Sequence, residues 1–147
     1  MKTKYLIAVL LSLVIATMTG CRTSPVYNVQ DHTITTNIEN HTEEDVKKAI
    51  IRAGAGLGWN MNADKPGHIL GTLHLRKHIA IVDITYDLNK YSITYKDSTN
   101  LDHIAAGQQT TDADGNTYVN ETDIIHSNYN GWIQNLDRAI QTQLSTL

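Results

Sequence analysis

Two stretches of the chain repeat apolar residues at helical spacing, and the region between them alternates apolar and polar residues at the period of a strand. Thr42 opens the first helical stretch as an N-cap. Asp45, three positions on, makes a near capping box, and Glu43 and Glu44 fall in the first turn, where the helix dipole favours negative charge. Val46, Ala49, Ile50 and Ala53 then share one face, with Lys47, Lys48 and Arg52 off it. Gly54, Gly56 and Gly58 predict its end. This glycine run follows a helix instead of opening one, so it offers no helix-start amides to a phosphate and reads as helix termination. The second stretch begins at Ser127. Tyr129, Trp132, Ile133, Leu136, Ala139, Ile140 and Leu144 form its apolar stripe, with Trp132 expected as a core anchor.

Between them, 67–76, 79–87 and 91–96 read as strands, with breaks near Lys77-His78 and at Leu88-Asn89-Lys90. Folded as an antiparallel meander, they are expected to pair Leu75 with Ala80, Leu73 with Val82, Gly71 with Ile84, Ile84 with Ile93 and Val82 with Tyr95. One face then collects Leu73, Leu75, Val82, Ile84, Tyr86, Tyr91, Ile93 and Tyr95. The other collects Thr72, His74, Arg76, Asp83, Thr85, Thr94 and Lys96, together with Ile79 and Ile81. A one-residue slip would mix the two sets. Val26, Tyr27 and Val29 suggest a first strand, which 33–36 continue past a turn at Asp31. Residues 98–125 are polar and poorly periodic, and predict a long loop with a short hairpin around Asp114-Gly115. The pattern as a whole predicts an α+β domain in the order β-α-β-β-β-α. Its three- to four-stranded antiparallel meander carries both helices on one face.

The first twenty residues stand outside this domain. Lys2 and Lys4 precede an apolar run from Leu6 to Ala16, and small or polar residues then lead to Cys21. That is the layout of an export signal, and a run this short is well below the ~20 residues that span a bilayer core. Cys21 is the only cysteine, so the chain can form no internal disulfide. Met18-Thr19-Gly20-Cys21 resembles the bacterial lipobox, with Thr19 bulkier than its usual small residue. The resemblance implies a diacylglyceryl group on the Cys21 sulfur and cleavage before it. Residues 1–20 are then the signal peptide, 21–25 a tether, and 26–147 the single domain.

Loss of the signal removes Lys2 and Lys4 and takes the formal net charge from −3 to about −5. That balance argues against a nucleic-acid partner, which calls for a basic stripe.

Several elements taken together resemble small uncharacterised lipoproteins of Gram-negative bacteria over most of the mature chain. They are Gly58-Trp59, Pro66-Gly67, Arg76-Lys77-His78, Tyr91-Ser92-Ile93-Thr94-Tyr95, Asp97-Ser98, Asn100-Leu101 and Ile125-His126 followed by Tyr129-Asn130-x-Trp132-Ile133 and Leu136. Arg22 after the cysteine, where inner-membrane lipoproteins tend to carry Asp, favours the outer membrane, facing the periplasm. The resemblance brings no activity with it.

Candidate chemistry is sparse. His74 and His78 bracket Arg76, a poor arrangement for a metal. Thr110-x-Asp112-x-Asp114-Gly115-Asn116 with Glu121 matches several positions of a calcium loop, but Thr stands at the first ligand position and no helices flank it. Ser98, Ser127, Asp97, His103 and His126 supply the residue types of a hydrolytic triad, without a nucleophile-elbow pattern around either serine. The expected role is therefore non-catalytic: docking or assembly at the membrane surface, with no cofactor, no metal and an envelope protein as partner. The candidate interaction face comprises His74, Arg76, Ile81, Asp83 and Lys96. The alternative is an envelope hydrolase or a small-ligand or calcium-binding lipoprotein.

Overall fold

The computed structural model describes residues 23–147, so the signal segment and Cys21 lie outside the described residues. In chain order the elements are β1 (Thr23–Pro25), β2 (Val29–Thr33), α1 (Glu43–Gly56), β3 (Trp59–Lys65), β4 (His68–Leu75), β5 (His78–Tyr86), β6 (Lys90–Thr99), β7 (Gln109–Thr111), β8 (Thr117–Val119), β9 (Ile124–His126) and α2 (Ser127–Leu144). Five strands form one antiparallel sheet in the order β2-β6-β5-β4-β3, while β1 pairs with β9 and β7 with β8. This is the expected α+β arrangement, an antiparallel meander with two helices. It has one strand more than the pattern predicts.

The extra strand is β3. Only Trp59 and Met61 alternate before it turns polar, and its second half bulges, with two residues opposing one between Asn62 and Lys65. Trp59 is nevertheless almost fully buried, at 4% exposure. Helix α1 packs beside this strand. A Cβ on Gly54 would overlap the Met61 side chain, so the glycine is what lets the helix come this close.

The caps explain the helix ends. The Thr42 side chain accepts from the Asp45 amide while the Asp45 carboxylate accepts from the Thr42 amide, which completes the capping box. At the other end Gly58 takes φ 84, a left-handed conformation that turns the chain into β3. Helix α2 is capped by the His126 side chain, which accepts from the Asn128 amide at 3.2 Å.

Pairing between β5 and β6 matches expectation at Ile84–Ile93 and Val82–Tyr95. Between β4 and β5 it does not. Leu73 pairs with Ala80, Gly71 with Val82 and Ile69 with Ile84, two residues from the expected register. The reason is the turn, which is only Arg76-Lys77, with Leu75 opposite His78. A two-residue shift preserves the faces, so Leu73, Val82, Ile84, Tyr86, Tyr91 and Ile93 are all buried as expected. Leu75 is not; it stands at the sheet end, 43% exposed.

Two further expectations change. Thr23–Pro25, expected within the tether, is a strand held by β9. The segment expected as a long loop is largely ordered: Leu101 is buried, Ile104 bridges to Ile124, and β7–β8 form the hairpin around Asp114-Gly115. Among the described residues no helix is long and apolar enough to cross a membrane.

Trp132 is only partly buried at the rim of the core, whereas Trp59 is inside it. Trp59→Ala should therefore cost about 3–5 kcal/mol and Trp132→Ala distinctly less, as truncations scale with the cavity they leave. Urea denaturation midpoints of the two variants check the order.

Candidate functional site

Both helices lie on the face of the sheet that carries Ile69, Leu73, Ala80, Val82, Ile84, Tyr91 and Ile93. Alternation sends His68, Leu70, Thr72 and His74 of β4, and Ile79, Ile81, Asp83 and Thr85 of β5, to the opposite face. Among the described residues no helix covers this face, and its side chains are partly or fully exposed. Of the expected interaction residues, His74, Ile81, Asp83 and Lys96 are on it. Arg76 is not: it forms the β4–β5 turn at the sheet end. A bulge between Ile81 and Val82 gives β6 an extra residue and turns both Lys96 and Asp97 outward.

A charged array crosses this face. Lys96 Nζ donates to both Asp83 oxygens at 2.9 Å. Asp83 Oδ1 lies 2.9 Å from His68 Nε2, and His68 Nδ1 lies 2.5 Å from Asp64 Oδ1. Both ring nitrogens of His68 thus face ionised carboxylates, which only accept, so both contacts are hydrogen bonds only with the imidazolium. In that form the four residues balance in charge. Burial raises the Asp83 carboxyl, but hydrogen bonds from Lys96 and His68 outweigh it and hold the group below its ordinary range. The contact with His68 likewise lowers Asp64. Because the two carboxylates sit on opposite nitrogens, one ion cannot use all three groups, and the described residues contain no metal-binding cluster.

Sequence reasoning missed His68 and Asp64. The side of His68 was readable, since it continues the alternation of Leu70, Thr72 and His74. Its partner Asp64 comes from the bulged part of β3, which periodicity does not reveal.

A second polar cluster lies under α2. Asp137 is 8% exposed and accepts from Tyr91 Oη at 2.5 Å and Gln141 Nε2 at 2.9 Å, with His32 Nδ1 at 3.1 Å. Burial and then the Asp137 carboxylate push the Tyr91 phenol well above its ordinary value, so it remains a donor. His32 stacks on Tyr91 and borders a cleft of about 320 Å³ lined also by Thr33, Thr35, Gln141, Thr142, Leu144 and Ser145. An Asp–His pair beside a cleft is two-thirds of a hydrolytic triad. No hydroxyl of the cleft is hydrogen-bonded to His32, so the pair reads as a clamp between β2, β6 and α2.

The expected triad residues are not assembled. Ser98 Oγ bonds to Tyr95 Oη at 3.0 Å, His103 stacks on Tyr95, and His126 is used as a helix cap. His103 Nε2 is 3.7 Å from Asp123, too far for a hydrogen bond. Asp97 accepts from the Ser98 amide, and Ser127 begins α2. In the calcium-like segment, Asp112 Oδ1 accepts the Asp114 and Asn116 amides at 3.0 and 2.8 Å. That is the internal bonding of a turn.

Compared with known proteins, the chain matches no family model, no curated protein and no solved structure.

The depressed Asp83 group stabilises the fold at pH above the ordinary carboxylate value near 4, and that contribution fades as pH falls through its lower folded value. Asp83→Asn should cost only about 0.2–1 kcal/mol at neutral pH, the scale of a partly exposed pair. Its melting temperature should converge with that of the unaltered protein as pH falls below the lowered folded value of Asp83. By contrast, Tyr91→Phe leaves a buried carboxylate short of a donor and should cost about 1.5–3 kcal/mol, read by chemical denaturation.

Proposed function

We propose that this chain is a lipid-anchored envelope protein, held through Cys21 in the outer membrane on its periplasmic side, with a non-catalytic docking or assembly role. The anchor rests on the sequence: a single cysteine directly after a short apolar export signal. The docking role rests on one observation, the uncovered sheet face. It joins partly exposed Leu70, Ile79 and Ile81 to the Asp64–His68–Asp83–Lys96 array. Apolar residues supply contact area and a satisfied charged array supplies orientation, the division of labour found in protein interfaces. A sheet face whose described side chains include no Tyr, Trp or Phe is poorly suited to stacking a sugar or a base, which favours a protein partner.

Cys21→Ala should leave an uncleaved or mislocalised precursor, and mass spectrometry of the mature N-terminus checks this. Crosslinking of the lipidated protein in cells, followed by capture, then tests the face. Ile81→Ser and Lys96→Ala should keep the fold and lose the crosslinked partner. If His74→Ala, Ile81→Ser and Lys96→Ala all retain every partner, the face is not the docking site.

A further inference from the structure

The fold also determines which end of the domain the anchor reaches. Only Arg22 separates Cys21 from Thr23, and two residues of chain span at most about 7 Å. Thr23 is paired with His126. The next residue, Ser24, accepts from Asn130 Nδ2 at 2.9 Å, and the Pro25 carbonyl accepts from the same nitrogen at 2.8 Å. The anchor therefore meets the domain at a point held by α2 and β9. On the reading that Cys21 carries lipid, the bilayer surface lies against that point.

Charges of both signs surround the point, with Asp102 and Asp123 on the segments beside it and the basic Arg76-Lys77 turn next to His78. The ring of His126 is 6.4 Å from that of His78, which is itself 6.4 Å from Trp132. His78 directly follows the Arg76-Lys77 turn. Arg76 and Lys77 are exposed and, like Arg52, Lys65 and Arg138, form no ion pair with any described acid. Arg76 also takes φ 56, a conformation in which glycine or asparagine is the ordinary choice. A strained turn that carries charge instead of glycine points to a use for the charge.

The opposite end of the sheet is richer in acids, part of whose charge Lys47, Lys48 and Lys90 offset. The β5–β6 turn holds Asp87, the start of α1 holds Glu43, Glu44 and Asp45, and the β3 bulge holds Asp64. A chain of net negative charge thus places two exposed basic side chains at the end that carries its own anchor.

We propose that the Arg76-Lys77 turn, with Arg22, docks onto the anionic phospholipid headgroup layer into which the Cys21 lipid inserts. The docking rests on the anchor described above. Basic side chains next to an anionic leaflet are attracted within a Debye length, and the anchor brings the end of the sheet that carries the turn to the leaflet. The domain then stands with its strands rising from the membrane, the acidic end outermost and the open sheet face turned sideways.

The test uses the protein purified from cells and reconstituted into vesicles of phosphatidylcholine, alone or mixed with phosphatidylglycerol. Tryptophan quenching by headgroup-proximal brominated lipid reports on Trp132, since Trp59 is buried. Quenching should be stronger in the anionic vesicles and fall to the phosphatidylcholine level at high salt. It should fall equally in Arg76→Gly with Lys77→Gln, a variant whose glycine suits the left-handed turn and keeps the fold. Lys47→Gln with Lys48→Gln, at the far end, should behave as the unaltered protein. Intact mass of the same preparation reports acylation of Cys21. An unmodified cysteine overturns the anchor and the orientation built on it. An acylated protein quenched equally in both vesicle types, or unchanged by loss of Arg76 and Lys77, overturns the docking of the turn alone.

Discussion

Each helix has one apolar stripe and the sheet has one apolar face, and all three can be buried only if both helices lie side by side on that face. Small residues at the contact make this possible. Ala49, Ala53 and Gly54 keep α1 slim where it meets the sheet and α2, and Ile133, Leu136 and Ile140 of α2 fill the space so created. Once this face is full, no helix among the described residues remains to cover the other. The bare outer face of the sheet is thus a consequence of how the core closes. What sits on that face, however, is a matter of sequence, and Ile79 and Ile81 beside a charged array are more than solvation requires.

The same closure accounts for the buried carboxylate. Strand β2 is an edge strand with a register shift between Val29 and His32, so its own ladder holds it weakly. Asp137 reaches from α2 to His32 on β2 and Tyr91 on β6, tying the edge to its neighbour and to the helix above. A buried carboxylate with this many donors is tolerable where an unpaired one is not. Its cost is offset by a defined edge.

Elements with a strong period were legible in the sequence. The capping box at Thr42, both helices, and the faces of β4, β5 and β6 followed from spacing alone. What escaped depended on single residues of backbone geometry. The β4–β5 register was displaced because the pattern cannot tell a two-residue turn from a longer one when the left-handed residue is Arg76 instead of glycine. Strand β3 escaped because its bulge interrupts alternation, and the partner of His68 escaped with it. Strand β1 is three residues whose pairing is wholly tertiary. For the candidate face, residue types were readable but contacts were not: Asp83 and Lys96 could be put on one side, but not joined.

Those escaped features bear most on the proposed function, and there they work together. If Cys21 carries the proposed lipid, the short β1–β9 ladder attaches that anchor at a defined place instead of letting it swing. The two-residue turn brings Arg76 and Lys77 to the same end of the sheet. Because the strands run lengthwise from that end, any surface that holds it leaves the long open face free along its whole height. A longer tether would give the same face every orientation, and a partner would then bind at the added entropic cost of ordering the domain. Holding the end removes that cost before the partner arrives. On the proposals above, docking at the membrane and docking on the sheet face would therefore be separable by mutation but coupled in energy: loss of the basic turn should weaken partner capture without altering the face itself.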